Sequence, residues 1–286
     1  MKILVIGSKG QLGSELKKIS KLYKNFSWVF STVKVLDLSD LNSINTYLSN
    51  INPTVIVNCA AYTNVDKAET EIKLANTINY RAVKVISRWT SDNFKKLIHI
   101  STDYVFDGLS EVPLCENSKT RPVNEYGSSK LKGEIACLKN HSNSIVVRTS
   151  WLYSSFGKNF VKTMIDLMKI NNSVRVVNDQ IGSPTYAYDL AKVIVEIIMN
   201  SKNKFGLFHY SNEGEISWFE FARSIRDLYN LDCEIIGVSS KEFKTIAKRP
   251  KYSLLNKSKI KKTFNLEIPN YKQSLEDCIK VIKNEA

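Results

Sequence analysis

Short apolar runs rich in β-branched residues alternate with amphipathic stretches through the first half of the chain. Met1-Lys-Ile-Leu-Val-Ile-Gly7 reads as a strand, and Gly7-Ser-Lys-Gly10-Gln-Leu-Gly13 turns the chain into an amphipathic stretch over 14–22. Further strand-type runs lie at 28–30, 33–36, 54–58, 96–101 and 144–149, with helical periodicity at about 41–48, 71–91 and 125–138. This alternation predicts an α/β fold with a Rossmann-type doubly wound parallel sheet, covered by helices on both faces. Beyond Ser150 the pattern loosens, with Asn, Gly and Pro signals at 178–184 and 212–214. The expected division is a dinucleotide-binding domain over 1–150, joined by a returning segment near 174–205. A smaller carboxy-terminal lobe over 151–286 would carry substrate contacts.

With 286 residues and 43% hydrophobic content, the chain can bury a large core. It has no apolar run approaching the roughly 18 residues needed to cross a bilayer. The glycine turn interrupts the first apolar run before a signal-type core can form, which points to a cytoplasmic protein. Cys59, Cys115, Cys137, Cys233 and Cys278 are odd in number and scattered, with no C-x-x-C pair, so neither a disulfide framework nor structural zinc is expected. The three histidines lack metal-ligand spacing. A net charge of +13 raises the question of nucleic acid, but lysine dominates, the charge is spread along the chain, and no aromatic-and-basic motif accompanies it. It is read as a solvated surface whose field would draw in an anionic substrate.

Ligands of such sheets lie beyond the carboxyl ends of the strands, where the polar residues of interest cluster. Gly7, Gly10 and Gly13 are spaced to permit a tight turn and close approach of a pyrophosphate to a helix amino terminus, or an ordinary strand-to-helix turn. Asp37 is expected to end a strand, either facing the adenine or capping the helix before Leu41. Asn58 to Tyr62 end another strand, and Ala60 and Ala61 are small enough for a flat ligand to pass close. Ser101-Thr102-Asp103 and Thr149-Ser-Trp151 end two more. Tyr126 and Lys130 stand at i and i+4 on one helix face, where the ammonium is expected to lower the phenol pKa and make it a general acid or base.

These blocks resemble the extended short-chain dehydrogenase/reductases and, within them, the dTDP-4-dehydrorhamnose reductase family. The matching residues include Gly7-x-x-Gly10-Gln-Leu-Gly13, Asn58-Cys-Ala-Ala-Tyr-Thr-Asn-Val-Asp-Lys-Ala-Glu69 and Ser101-Thr-Asp-Tyr-Val-Phe-Asp-Gly108. Others are Glu125-Tyr-Gly-x-x-Lys-Leu-x-Gly-Glu134, Arg148-Thr-Ser-Trp-Leu-Tyr153, Asn178-Asp-Gln-x-Gly-x-Pro-Thr185 and Arg249-Pro250. The resemblance covers nearly the whole length.

It implies that Gly10, Gln11 and Leu12 meet the cofactor phosphates, with Gly7 and Gly13 belonging to the same cofactor-binding turn. Asp37 and Leu38 would flank the adenine, and Ala60, Ala61 and Tyr62 would line the cofactor groove. Thr102 would bond a substrate ketone, and Tyr126 would protonate it as hydride reaches C4 of the sugar. Lys130 would bond the nicotinamide ribose, Asp103 and Trp151 would hold the sugar, and Arg249 would reach the diphosphate. Asn79 would serve as a proton relay. Asp66, Lys67 and Glu69 are read as an exposed or capping set.

The second strand ends without an acidic residue to repel a 2′-phosphate, and Lys34 lies nearby, so the cofactor is read as NADPH, with NADH as the alternative. Tyr252 and Tyr188 stand where the family pattern has asparagine and an acidic residue. Glu15 by itself does not make a metal site. The implied activity is reduction of dTDP-4-dehydro-β-L-rhamnose by a monomer or homodimer. The alternatives are a related 4-ketoreductase, an epimerase or dehydratase, or a non-catalytic regulatory subunit of the same fold.

Overall fold

The computed structural model describes residues 1–285. Five parallel strands follow the alternating pattern: β1 (Lys2–Ile6), β2 (Ser27–Ser31), β3 (Val55–Asn58), β4 (Lys96–Thr102) and β5 (Ile145–Thr149). A sixth, Gly206–His209, pairs in parallel with β5, so the sheet runs Gly206–His209, β5, β4, β3, β1, β2. Successive side chains point to opposite faces. Ile3 and Val5 therefore pack with Leu16, Val57 and Ile194 on one side, while Leu4 and Ile6 pack with Ile44, Ile56 and Ile86 on the other. Burial on both faces explains why these strands are almost continuously apolar.

Strand order reverses between β1 and β3, and at such a switch point the loops splay apart and leave a crevice. The glycine turn after β1 and the Cys59–Ala61 segment after β3 both open there. Helix Gln11–Ser20 follows the turn and packs against helix Ala187–Asn200. The chain thus returns to the sheet through 187–209. Ser173–Val177, expected to belong to the returning segment, instead pairs with Glu234–Val238 in the carboxy-terminal part. That part closes around its own cluster, including Tyr153, Ile165, Phe221, Ile225 and Leu275.

Two further expectations need correction. Residues 33–36 form a turn rather than a strand: the amides of Val35 and Leu36 both donate to the Thr32 carbonyl, and only Leu36 among the apolar three is buried. Apolar content alone does not make a strand: directly after β2 ends at Ser31, the Thr32 carbonyl gathers these amides into a turn. Asp37 therefore lies in a turn, accepting from the Ser39 amide at 2.8 Å, and Asp40 caps helix Leu41–Ile51 through the Asn42 amide. The stretch read as one helix over 71–91 is α-helical at Ile72–Asn76 and Val83–Asp92, with a π-helical segment, Thr77–Ala82, between them. Such wide turns displace the residues they carry, here Asn79.

Candidate active site

A cavity of about 950 Å³ runs along the carboxyl ends of the strands. Its floor at the switch point is glycine. Gly7 has φ +83°, and a Cβ there would stand 2.7 Å from the Ala60 nitrogen. A Cβ on Gly13 would stand 2.4 Å from the Gly7 carbonyl oxygen. Gly10 precedes helix Gln11–Ser20 without a side-chain cap, which leaves the first amides of that helix free to face an anion. The Gln11 Oε1 is buried without a partner on the same wall. This cradle suits a dinucleotide pyrophosphate. Leu12, Asp37, Leu38, Ala60 and Ala61 also line the cavity.

Tyr62 does not. Its amide and carbonyl bind the Asn79 side chain, and its hydroxyl donates to Glu71 Oε2 at 2.7 Å, so Cys59 and Thr63 share the wall with the two alanines instead. Asn79 also donates to Ser129 Oγ at 3.0 Å. Both ends of its amide are thus engaged in holding this loop to the tyrosine helix. Lys34 is exposed and lies outside the cavity lining, where Thr32, Val33 and Lys9 are found. Thr32 and Cys59 follow strand ends directly, a position that could have marked them from sequence.

Helix Glu125–Asn140 carries Tyr126 and Lys130 to the opposite wall. Asn124 caps it by accepting from the Gly127 amide at 2.8 Å, and Glu69 Oε1 accepts from the Glu125 amide at 2.9 Å. A Cβ on Gly127 would stand 2.1 Å from the Tyr104 carbonyl oxygen, so glycine is what lets this helix end close onto the loop after β4. Tyr126 thereby meets the Tyr104 ring edge-on at 5.6 Å and shares the cavity wall with Thr102, whose hydroxyl favours the phenolate. Thr102 also donates to Asp103 Oδ1 at 3.1 Å.

The expected electrostatics are reversed. Burial pushes the Tyr126 phenol up to about 12, with the Thr102 hydrogen bond pulling the other way and the Asp103 charge adding to the rise. The Lys130 Nζ donates to the Ile100 carbonyl at 2.5 Å, and burial brings it down to about 8 against the pull of Glu134. Helical adjacency alone left out desolvation, which outweighs neighbouring charge here. Tyr126 is accordingly a protonated acid at neutral pH. Burial also lifts the Asp103 carboxyl to about 6.

Trp151 lies on the cavity wall at φ +47°, a left-handed conformation unusual for a bulky residue. Its ring stacks on Trp218 at 3.6 Å and 10°, with Gly182 close beneath. Trp218, at the start of helix Trp218–Tyr229, is a cavity residue that sequence reading missed; an isolated tryptophan at a helix start offered no signal. Arg249 stands outside the cavity lining. Its guanidinium grips Asp66 at 2.8 and 3.3 Å and the Ala247 carbonyl at 3.0 Å, and this pairing holds the Asp66 carboxyl below its ordinary range. The pair clips 247–249 to the short helix Val65–Ala68. Glu15 is buried and accepts from Ser154 Oγ at 2.6 Å.

A glycine cradle at the switch point of a parallel sheet, faced by a protonated tyrosine and a buried lysine, defines an oxidoreductase of the short-chain dehydrogenase/reductase class. Comparison with known proteins narrows the class. The model of the RmlD substrate binding domain family matches residues 1–284, and the chain belongs to that family. A dTDP-4-dehydrorhamnose reductase from Sinorhizobium fredii is 37% identical over 96% of this chain and 95% of its own. The crystal structure of such a reductase from Clostridium acetobutylicum superposes with a TM-score of 0.95 at 37% identity, covering 99% of this chain and 100% of that one. Another, from Bacillus anthracis in complex with NADP, gives 0.93 at 38% identity, covering 98% and 99%.

Proposed function

We propose that this enzyme reduces dTDP-4-dehydro-β-L-rhamnose to dTDP-L-rhamnose with NADPH. The observation that carries the reading is the meeting of the Tyr126 and Thr102 hydroxyls on the wall of the cavity that the glycine cradle enters. When bound, the reduced nicotinamide supplies a hydride. A ketone oxygen placed against this wall accepts hydrogen bonds from Tyr126 and from Thr102, whose hydroxyl turns to it from Asp103, and both polarise its carbonyl. As negative charge gathers on that oxygen, Tyr126 gives up its proton, because an alkoxide is a far stronger base than a phenolate. Lys130, one helical turn away and cationic below about 8, offsets the charge left on the phenol. The Trp151–Trp218 stack forms an apolar side for the sugar ring, and Asp103 adds a polar one. The excess of basic residues favours approach of the diphosphate.

The test is stoichiometric. Purified protein should oxidise NADPH only when the 4-keto sugar is added, one equivalent per product, and product NMR should show the rhamno configuration at C4. An epimerase or dehydratase would recycle its cofactor without net consumption, and a regulatory subunit would bind NADPH without turnover. Either result would reject the proposal.

A further inference from the structure

Behind the tyrosine and lysine lies a buried charged cluster to which the reaction above assigns no task. Tyr126, Lys130 and Glu134 follow at four-residue spacing on helix Glu125–Asn140 and so share one face. Glu134 and Arg148 form an ion pair with both side chains 3% exposed. The Arg148 Nε donates to Glu134 Oε2 at 2.9 Å, the Nη2 donates to Oε1, and the Ser101 hydroxyl adds a bond to Oε2 at 2.9 Å. On its far side Arg148 lies 3.2 Å from His209 Nε2, whose Nδ1 faces the Leu114 carbonyl at 3.1 Å. Burial brings His209 down to about 3, so its ring is neutral.

The groups acting on Lys130 come from three elements. Cys59 follows β3, His99 lies on β4, and Glu134 and Cys137 share the helix with Lys130. Burial pushes both thiols up to about 12 and holds His99 well below its ordinary value, so all three are neutral at physiological pH. Glu134 is the member of this set held in an ion pair, with Arg148. A buried ion pair is in general no more stabilising than apolar residues of equal volume, so stability alone is a weak reason for its presence. We infer that Glu134, fixed by Arg148 and Ser101, is a positioning residue that keeps the buried Lys130 an ammonium ion. Arg148 holds the carboxylate in place and also cancels part of its field at Lys130.

The inference rests on the reading of Lys130 given above, and it makes a prediction of opposite signs. In Glu134→Gln the basic limb of the kcat/KM pH profile should move to lower pH by roughly one unit, about a tenfold loss just above the parent's limb. In Arg148→Met it should move to higher pH. Urea melts record the destabilisation that each variant brings, and NMR of the lysine ammonium group in NADP-bound protein follows Lys130 independently of turnover. Two losses at all pH values with a stationary limb, or shifts in the same direction, would mean a structural pair only and would overturn the inference. Should a single variant fail to fold, Glu134→Gln/Arg148→Met removes both halves of the ion pair, so neither is left buried without the other. Its limb should lie below the parent's, since the carboxylate acts on Lys130 more strongly than the guanidinium. An unmoved limb there would also overturn it. If the assignment of Tyr126 fails instead, Tyr126→Phe stays active while the lysine resonance still shifts in these variants.

Discussion

Replacing Tyr126 by phenylalanine removes one oxygen and keeps the ring, which separates chemistry from stability. The ring retains its edge contact with Tyr104, 5.6 Å away. The lost hydroxyl interacts with Thr102, an interaction worth at most about 1 kcal/mol of net stability. No charge leaves the interior, because the phenol titrates at about 12 and is neutral at working pH. Loss of a proton donor lowers turnover by about 10²–10⁴-fold. That corresponds to roughly 3–5 kcal/mol on the barrier, several times the stability effect. NADPH titration, urea melts and single-turnover oxidation of NADPH by the keto sugar measure the three quantities separately. The expected result is near-parental cofactor affinity and stability with turnover nearly abolished. Turnover close to the parent's, or a loss accounted for by weaker NADPH binding, would refute the role assigned to Tyr126.

Other outcomes follow from the same geometry. Thr102→Ala should slow the chemical step by roughly 10- to 100-fold, the scale of one hydrogen bond to a developing charge, and an unchanged single-turnover rate would remove Thr102 from the site. Gly13→Ala places a methyl 2.4 Å from the Gly7 carbonyl oxygen; a cost of roughly 1–3 kcal/mol and weaker NADPH binding should appear in melts and titrations. Arg249→Ala should cost about 1 kcal/mol of stability and leave the KM for the nucleotide sugar unchanged, while a raised KM with unchanged melting would return Arg249 to the substrate. Asp103 has its folded-state pKa raised from 3.8 to about 6, so its contribution to stability is fully present below about 4 and is lost as pH rises through about 6. Asp103→Asn should therefore melt like the parent near pH 4 and above it at pH 8, by on the order of 3 kcal/mol; a constant difference across pH would contradict the shift.

Local order was legible in the chain because its causes are local. The apolar runs of β1 and β3, the glycines at 7, 10 and 13, and the helical spacing of Tyr126 and Lys130 act over a few residues, through backbone conformation and side-chain direction. The same local reading misjudged 33–36, where backbone bonds to the Thr32 carbonyl turn the chain instead. The family resemblance, for its part, assigned Tyr62 to a wall from which Asn79 and Glu71 hold it. Partners distant in sequence decided the rest. Arg249 finds Asp66 across 183 positions, Trp151 stacks on Trp218, and Arg148 meets His209 and Glu134. Charge state belongs wholly to this second group. A sequence places an ammonium beside a phenol, but the energy of each ion depends on how much water the surrounding fold removes, and that is settled only when distant strands and helices close over it.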